Sequence, residues 1–270
     1  MKKRLVREIL IVMTLLLIML SGGCKAKQAD KASKQEIIVL AASSLTESLE
    51  EIIKLFEKEN PKVKVTLNLD STSRLRVQIE QGIKADLFLS ANKEHYDALK
   101  EEGYISEGEA FLHNSMVLIV PKSNPAEIEK LDDLQNKCKL VIAQKEVPAG
   151  EYTRKIIHSL NQQLGTQYEG KVLSNIVSEE SNVKQVVNKV VIGEADAAFV
   201  YSSDITKGVR DKVKIIDIDP KHNVEAEYWT SKLKNEEENK YAEELYSFLL
   251  SKEGKEIFRK YGFNSAKQQP

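Results

Sequence analysis

Ala41-Ala42-Ser43-Ser44-Leu45-Thr46-Glu47 joins an apolar run, Ile37–Ala42, to a stretch in which Leu45, Leu49, Ile52, Ile53 and Phe56 fall at helical spacing on one face. A short apolar strand running straight into a helix is the unit from which α/β folds with parallel sheets are built. Glu47 follows Ser44 at the spacing of an S-x-x-E capping box, so the sequence predicts Ser44 as the N-cap of a helix reaching about Glu59. A helix starting at the carboxyl edge of a sheet presents free N–H groups and the positive end of its dipole there, a ready place for an anion. One such junction means little, because Ser44 can simply cap a helix. Recurrence gives it weight.

Working outward, Asn60-Pro61 stops the first helix, and Val63, Val65, Leu67 and Leu69 alternate as a strand. Asp70-Ser71-Thr72-Ser73 opens a second helix with Leu75 and Ile79 on one face, closed at Gly82. Ala85–Ala91 reads as another apolar strand and Lys93–Glu102 as another helix, ended by Gly103. Met116–Val120 is an uninterrupted strand closed by Pro121, and there a second series starts. It comprises the strand Leu140–Ala143, the loop Val147-Pro148-Ala149-Gly150 and a helix over Glu151–Leu160. The strand Asn175–Val177, a cap at Ser181-Asn182, the helix Val183–Val191 and the strand Ala195–Tyr201 follow. Strands over Val213–Ile218 and Val224–Thr230, a helix carrying Leu245, Phe248 and Leu249, and an amphipathic piece over Gly254–Tyr261 complete the chain. Two βα series predict an α/β fold of two lobes, each a mostly parallel sheet flanked by helices. Lobe I takes residues 35–115 and 225–270, lobe II residues 116–224, with a ligand cleft between the carboxyl ends of their strands.

Four strand-to-helix junctions carry small, hydroxylic or Gly residues: Ala42-Ser43-Ser44, Ser71-Thr72-Ser73, Pro148-Ala149-Gly150 and Ser181-Asn182-Val183. None has Lys or Arg at its centre. An oxyanion held there would be bound by neutral donors and helix ends and not by a salt bridge.

The first residues belong to export. Lys2, Lys3, Arg4 and Arg7 form a basic region, Ile9–Leu20 an apolar core, and Ser21-Gly22-Gly23-Cys24 a small-residue cleavage site. Residues 1–23 therefore read as a signal peptide, too short to be a membrane span of roughly 20 apolar residues. Ending on Gly23-Cys24, the segment resembles a bacterial lipobox, although Leu20 lies one place further from the Cys than that pattern usually has it. Cys24 is expected to carry lipid, anchoring the protein to the outer face of the cytoplasmic membrane, and residues 24–34 form a polar tether. Lys and Arg total 40 against 41 Asp and Glu, for a formal charge of −1, and no basic stripe suggests a nucleic-acid partner. With Cys24 lipidated, Cys138 is alone; it lies in the run Cys138–Ala143, which reads as a strand, and is expected to be a quiet, half-buried thiol. No metal-ligating spacing links His95, His113, His158 and His222, and no nucleophile elbow appears, which argues against an enzyme.

From about Glu36 to Phe263 the chain resembles the molybdate-binding proteins of ABC importers, which have the type II periplasmic-binding-protein fold. The matching motifs are Ala41-Ala42-Ser43-Ser44-Leu45-Thr46, Gln78-Ile79-Glu80-Gln81-Gly82 with Ala85-Asp86-Leu87-Phe88-Leu89-Ser90-Ala91, and Val147-Pro148-Ala149-Gly150. Further on come Phe199-Val200-Tyr201-Ser202-Ser203-Asp204 and Ile257-Phe258-Arg259-Lys260-Tyr261-Gly262-Phe263. The resemblance implies an extracytoplasmic binder of molybdate, and of the similarly sized tungstate, that works as a monomer without a cofactor and serves an ABC permease. Residue by residue, it implies hydroxyl donors at Ser44 and Thr72, backbone N–H donors at Ala149 and Val183, and a phenolic donor at Tyr201. The second loop departs from the family pattern, so Ser71 or Ser73 is an alternative donor there, and Asp70 beside an anion must point away. Tyr228-Trp229 stands where Tyr-Pro is common and has no implied ligand contact. On the residues alone the ligand is a tetrahedral oxyanion, which leaves sulfate, thiosulfate or phosphate as alternatives, with Asp70 the one acceptor that a protonated phosphate would need.

Overall fold

The computed structural model describes residues 34–235 and 239–265; the predicted signal peptide, Cys24 and nearly all of the tether lie outside them. The chain enters through β1 (Gln35–Ala42), turns once in a 3₁₀ turn at Ser43–Leu45, and continues as α1 (Thr46–Glu59). Then come β2 (Val63–Asp70), α2 (Thr72–Glu80), β3 (Leu87–Ser90), α3 (Lys93–Glu101) and the long β4 (Ile105–Pro121). A second βα series follows, with β5 (Leu140–Ala143), α4 (Pro148–Leu164), α5 (Tyr168–Ser174), β6 (Ile176–Glu180), α6 (Val183–Val191) and β7 (Ala197–Tyr201). The rest is α7 (Lys207–Arg210), β8 (Val213–Asp217), β9 (Glu225–Leu233), α8 (Lys240–Leu250), α9 (Lys252–Lys260) and β10 (Asn264–Ser265).

The sheet has a parallel wing at each side. In one, β2 and β3 pair with the two edges of β1; in the other, β6 and β7 pair with the two edges of β5. β1 is apolar on both faces, with Ile37, Val39, Leu40, Ala41 and Ala42 all buried, as a strand covered by helices on both sides must be. The wings are joined by antiparallel strands. β9 pairs with β3 and with residues Ile105–Ser115 of β4; beyond that, Met116–Pro121 of β4 pair with β7 and β8. The strand order is β2-β1-β3-β9-β4-β7-β5-β6, so β4 and β9 alone carry the sheet from one wing to the other.

The sequence shows only the end of β4. Its first half carries Glu107, Glu109, His113 and Asn114, and its pairing with β9 is interrupted by register shifts between Ile105 and Glu107 and between Ala110 and Leu112. Bulges break the period of two that would otherwise mark a strand. A second departure concerns α1, which starts at Thr46 with Leu45 at its N-cap and no side-chain cap, so the predicted capping box does not form. The predicted helix Glu151–Leu160 is longer at both ends, with Pro148 in its first turn, where the missing N–H costs nothing.

Candidate functional site

The four junctions meet. Ser44, Thr72, Ala149, Val183 and Tyr201 all line one cavity of about 10 Å³, along with Ser71 and Asp70. That is room for a single water-sized sphere. Contacts cross between the two wings beside it. Tyr152 on α4 donates to the Ala91 carbonyl beyond β3 at 3.3 Å, and the Asn182 amide donates to Asp70 at 3.4 Å.

Each wall residue arrives through local chemistry. The 3₁₀ turn after β1 buries Ser43 and Ser44, and because Ser44 caps no helix, its hydroxyl is free for other partners. It meets the Tyr228 hydroxyl of β9 at 2.8 Å. Tyr228 itself is not in the cavity wall, in keeping with the expectation of no ligand contact, and it touches the site through Ser44. Thr72 is the first residue of α2; its Oγ1 accepts the Ala91 N–H at 3.0 Å, which leaves its own proton to donate. Ser71, the N-cap, also faces the cavity, whereas Ser73 is absent from its wall and lies 3.2 Å from the Ser71 hydroxyl. Ala149 and Val183 sit in the first turns of α4 and α6, where backbone N–H groups have no intrahelical acceptor. Asn182 caps α6 by accepting from the Gln185 N–H, as predicted.

Tyr201 ends β7. Its hydroxyl is fully buried and has no partner among the described residues. Burial holds its pKa well above that of a free phenol, so it stays a donor throughout the physiological range. A buried hydroxyl without a partner is costly, and in native proteins such a group has a reason to be there.

Gly150 explains the Val-Pro-Ala-Gly loop. A Cβ on it would lie 2.0 Å from the Gln144 carbonyl oxygen and 2.4 Å from that of Ala143, both backbone atoms that cannot step aside. Only glycine lets α4 start this close to the end of β5. Gly150→Ala should therefore destabilise the protein by about 1–3 kcal/mol through overpacking. Urea denaturation will show it as a lower midpoint with unchanged slope, and an unchanged midpoint would contradict the close approach.

The charged groups near the cavity are engaged with one another. Asp70 stays in the cavity wall, where its Oδ1 accepts the Ser71 N–H and the Asn182 amide and its Oδ2 lies 3.7 Å from Arg74. Lys184 on α6 reaches across to Glu47 on α1 at 2.7 Å, and this is the contact that replaces the expected Ser44–Glu47 box. The same ammonium lies 3.3 Å from Asp204 Oδ1, an ion-pair contact without hydrogen-bond alignment, while Asp204 Oδ2 accepts the Tyr201 N–H. Asp204 is wholly buried, and desolvation raises its pKa despite the neighbouring Lys184. Burial opposes the Lys184 charge too, but Asp204 and Glu47 outweigh it and hold its pKa above the usual value. The pair is uneven because Lys184 still reaches solvent and Asp204 does not.

Chemically, the arrangement offers hydroxyl and backbone N–H donors to an acceptor-rich anion. Among the described residues no cluster of His, Cys, Asp or Glu could hold a cation. Burial pushes the Cys138 thiol up to about 11, which makes it inert, and lowers the pKa of His95.

A fold of two parallel wings crossed by two strands, with helix starts and hydroxyls converging between them, defines a class of ligand-capturing proteins. The family of bacterial extracellular solute-binding proteins matches residues 37–264, and the chain belongs to it. Among its relatives is YvgL of Bacillus subtilis (strain 168), provisionally named as an ABC transporter substrate-binding lipoprotein. It is 31% identical over 254 residues, covering 92% of this chain and 94% of its own. The molybdate-binding protein ModA of Mycobacterium tuberculosis (strain H37Rv) is 31% identical over 231 residues, 85% of this chain and 84% of its own. The periplasmic molybdate-binding protein of Azotobacter vinelandii superposes with a TM-score of 0.75 over 86% of this chain and 100% of its own; at 18% identity this likeness establishes the fold.

Proposed function

We propose that this protein captures molybdate, and equally tungstate, outside the cytoplasmic membrane and delivers it to the permease of an ABC importer. The observation that carries this reading is the Tyr201 hydroxyl, a buried donor at a cavity wall without a partner among the described residues. Ser44 and Thr72 add hydroxyls, and Ala149 and Val183 add N–H groups at helix starts, where the dipole favours negative charge. Among the described residues no cationic side chain lines the cavity, so the charge of the ion is met by oriented neutral donors. The ~31% identity to a molybdate-binding protein over most of both chains names the ion. Asp70 lines the cavity, but its engagement with the Ser71 N–H, the Asn182 amide and Arg74 makes it a poor acceptor for the proton of a phosphate.

The two wings act as lobes that close on the anion. Support comes from β4, which changes partners between Ser115 and Met116, at the expected boundary between residues 35–115 with 225–270 and residues 116–224. Donors from both sides of that boundary would be bridged by one ion, and the bridged form is then favoured by the difference in affinity between closed and open states.

Calorimetric titration of the purified mature protein with molybdate, tungstate, sulfate and phosphate tests this reading. Tight binding of the first two and weak or absent binding of the others is expected. Tighter binding of sulfate or phosphate would overturn the assignment.

The anchor is a lipid on Cys24, in keeping with the lipoprotein naming of the Bacillus relative. Cys24→Ala should shift the protein from the membrane fraction to the medium or leave it unprocessed. Wild-type protein found free, with no acyl mass on its N-terminal peptide, would contradict the anchor.

A further inference from the structure

We infer that Tyr228 and Asn114 are positioning residues that fix the direction of the Ser44 hydroxyl, so that its proton points into the cavity as a donor. This rests on the anion-binding reading of the cavity and adds two residues to it that no wall contact would identify. Asn114 on β4 is buried, and its orientation is set by a group of unambiguous polarity. The Ser115 backbone N–H donates to Asn114 Oδ1 at 3.0 Å, as does the Ser202 hydroxyl at 2.8 Å. The amide nitrogen therefore faces the other way, donating to Ser203 Oγ at 2.8 Å and lying 3.5 Å from Tyr228 Oη.

An amide nitrogen cannot accept. Tyr228 Oη thus has two polar neighbours among the described residues, Asn114 Nδ2 and Ser44 Oγ, and its proton can go only to Ser44. The phenol is fully buried and burial raises its pKa far above the ordinary value, so it keeps that proton. Once Ser44 Oγ accepts from Tyr228, the Ser44 proton must leave along another direction, and the cavity is the side that Ser44 faces. The chain of bonds runs one way, from Asn114 through Tyr228 to Ser44. It starts on β4 and β9, the strands that join the wings, and ends at the anion.

Reversing the polarity tests the assignment. Asn114→Asp puts an acceptor where the amide donated, so Tyr228 turns its proton to Asp and Ser44 donates to Tyr228 and not to the ion. Tyr228→Phe, a milder change, removes the hydroxyl that orients Ser44. Tungstate affinity is to be measured by calorimetry for both variants, in the wild-type and in the Ser44→Ala background. Asn114→Asp should lose roughly tenfold or more, and Tyr228→Phe about three- to tenfold, while neither changes affinity further once Ser44 is Ala. Equal losses in both backgrounds would mean a general structural role and overturn the assignment, as would no loss in either. If Asn114→Asp shows no cooperative melt, the Tyr228→Phe cycle decides by the same criteria. Absence of tungstate binding by the unmodified protein would instead remove the function proposed above, and this inference with it.

Discussion

Lys184→Met is expected to destabilise the protein by about 3 kcal/mol at pH 8. Removing one partner of a buried ion pair typically costs 3–5 kcal/mol because the other charge is left without compensation. The lower end applies because the Lys184 side chain keeps 27% of its exposure. Its second partner, Glu47, is more open at 34%, so the Lys184–Glu47 contact contributes under about 1 kcal/mol. The loss falls on Asp204, which has no exposed surface to recover solvation.

The effect has a definite pH dependence. Asp204 has a folded pKa above its unfolded one. Its neutral form therefore favours folding below the unfolded value, and that advantage disappears as pH rises through the folded value. Without Lys184 to favour the carboxylate, the folded pKa moves higher still and the window widens upward. Urea melts should therefore show a large stability gap between wild type and Lys184→Met at pH 8 that shrinks toward pH 5. A gap that is constant across that range would mean that Asp204 is not the group left uncompensated. In the wild type, the Lys184 contribution is full below the unfolded lysine value and is lost as pH rises through its raised folded pKa, so alkaline solution should weaken the same contact.

Ser44→Ala and Tyr201→Phe should each lower molybdate affinity by roughly one to two decades, since a hydrogen bond to a charged group contributes about 1.5–3 kcal/mol. Their effects on the empty protein should differ in sign. Tyr201 Oη has no partner in the described structure, so Phe removes only a buried unsatisfied donor and leaves stability equal or higher. Ser44→Ala strands the buried Tyr228 hydroxyl and should cost about 1–3 kcal/mol of stability as well as affinity. Thr72→Val loses both the Ala91 contact and the free proton and should weaken binding, whereas Thr72→Ser should change little. Near-native affinity in both Ser44→Ala and Tyr201→Phe would refute the neutral-donor cradle.

Much of this was legible in the sequence because strong local signals matched the final structure. Val183–Val191 is helical as read, since Asn182 caps it and valines fall on its inner face. Glycines end helices where predicted, at Gly82 and Gly103, each with positive φ. The convergence of Ser44, Thr72, Ala149, Val183 and Tyr201 on one cavity follows from placing each at the carboxyl end of a strand. What escaped depends on long-range partners. Glu47 looks like a capping residue until Lys184, 137 positions away, is seen to take it. Ser44 has the spacing of an N-cap, but a 3₁₀ turn intervenes, and its hydroxyl goes to Tyr228, 184 residues away. No local pattern encodes either contact. The crossing part of β4 was hidden for a different reason: its bulges and polar residues remove the alternation by which a strand is recognised.

A bound tungstate reports its own position through the anomalous scattering of tungsten. Crystals grown with tungstate should show an anomalous difference peak between Ser44, Thr72, Ala149, Val183 and Tyr201, within hydrogen-bond reach of the Tyr201 hydroxyl through the oxygens of the ion. A peak elsewhere on the protein, with this cavity empty, would contradict the account.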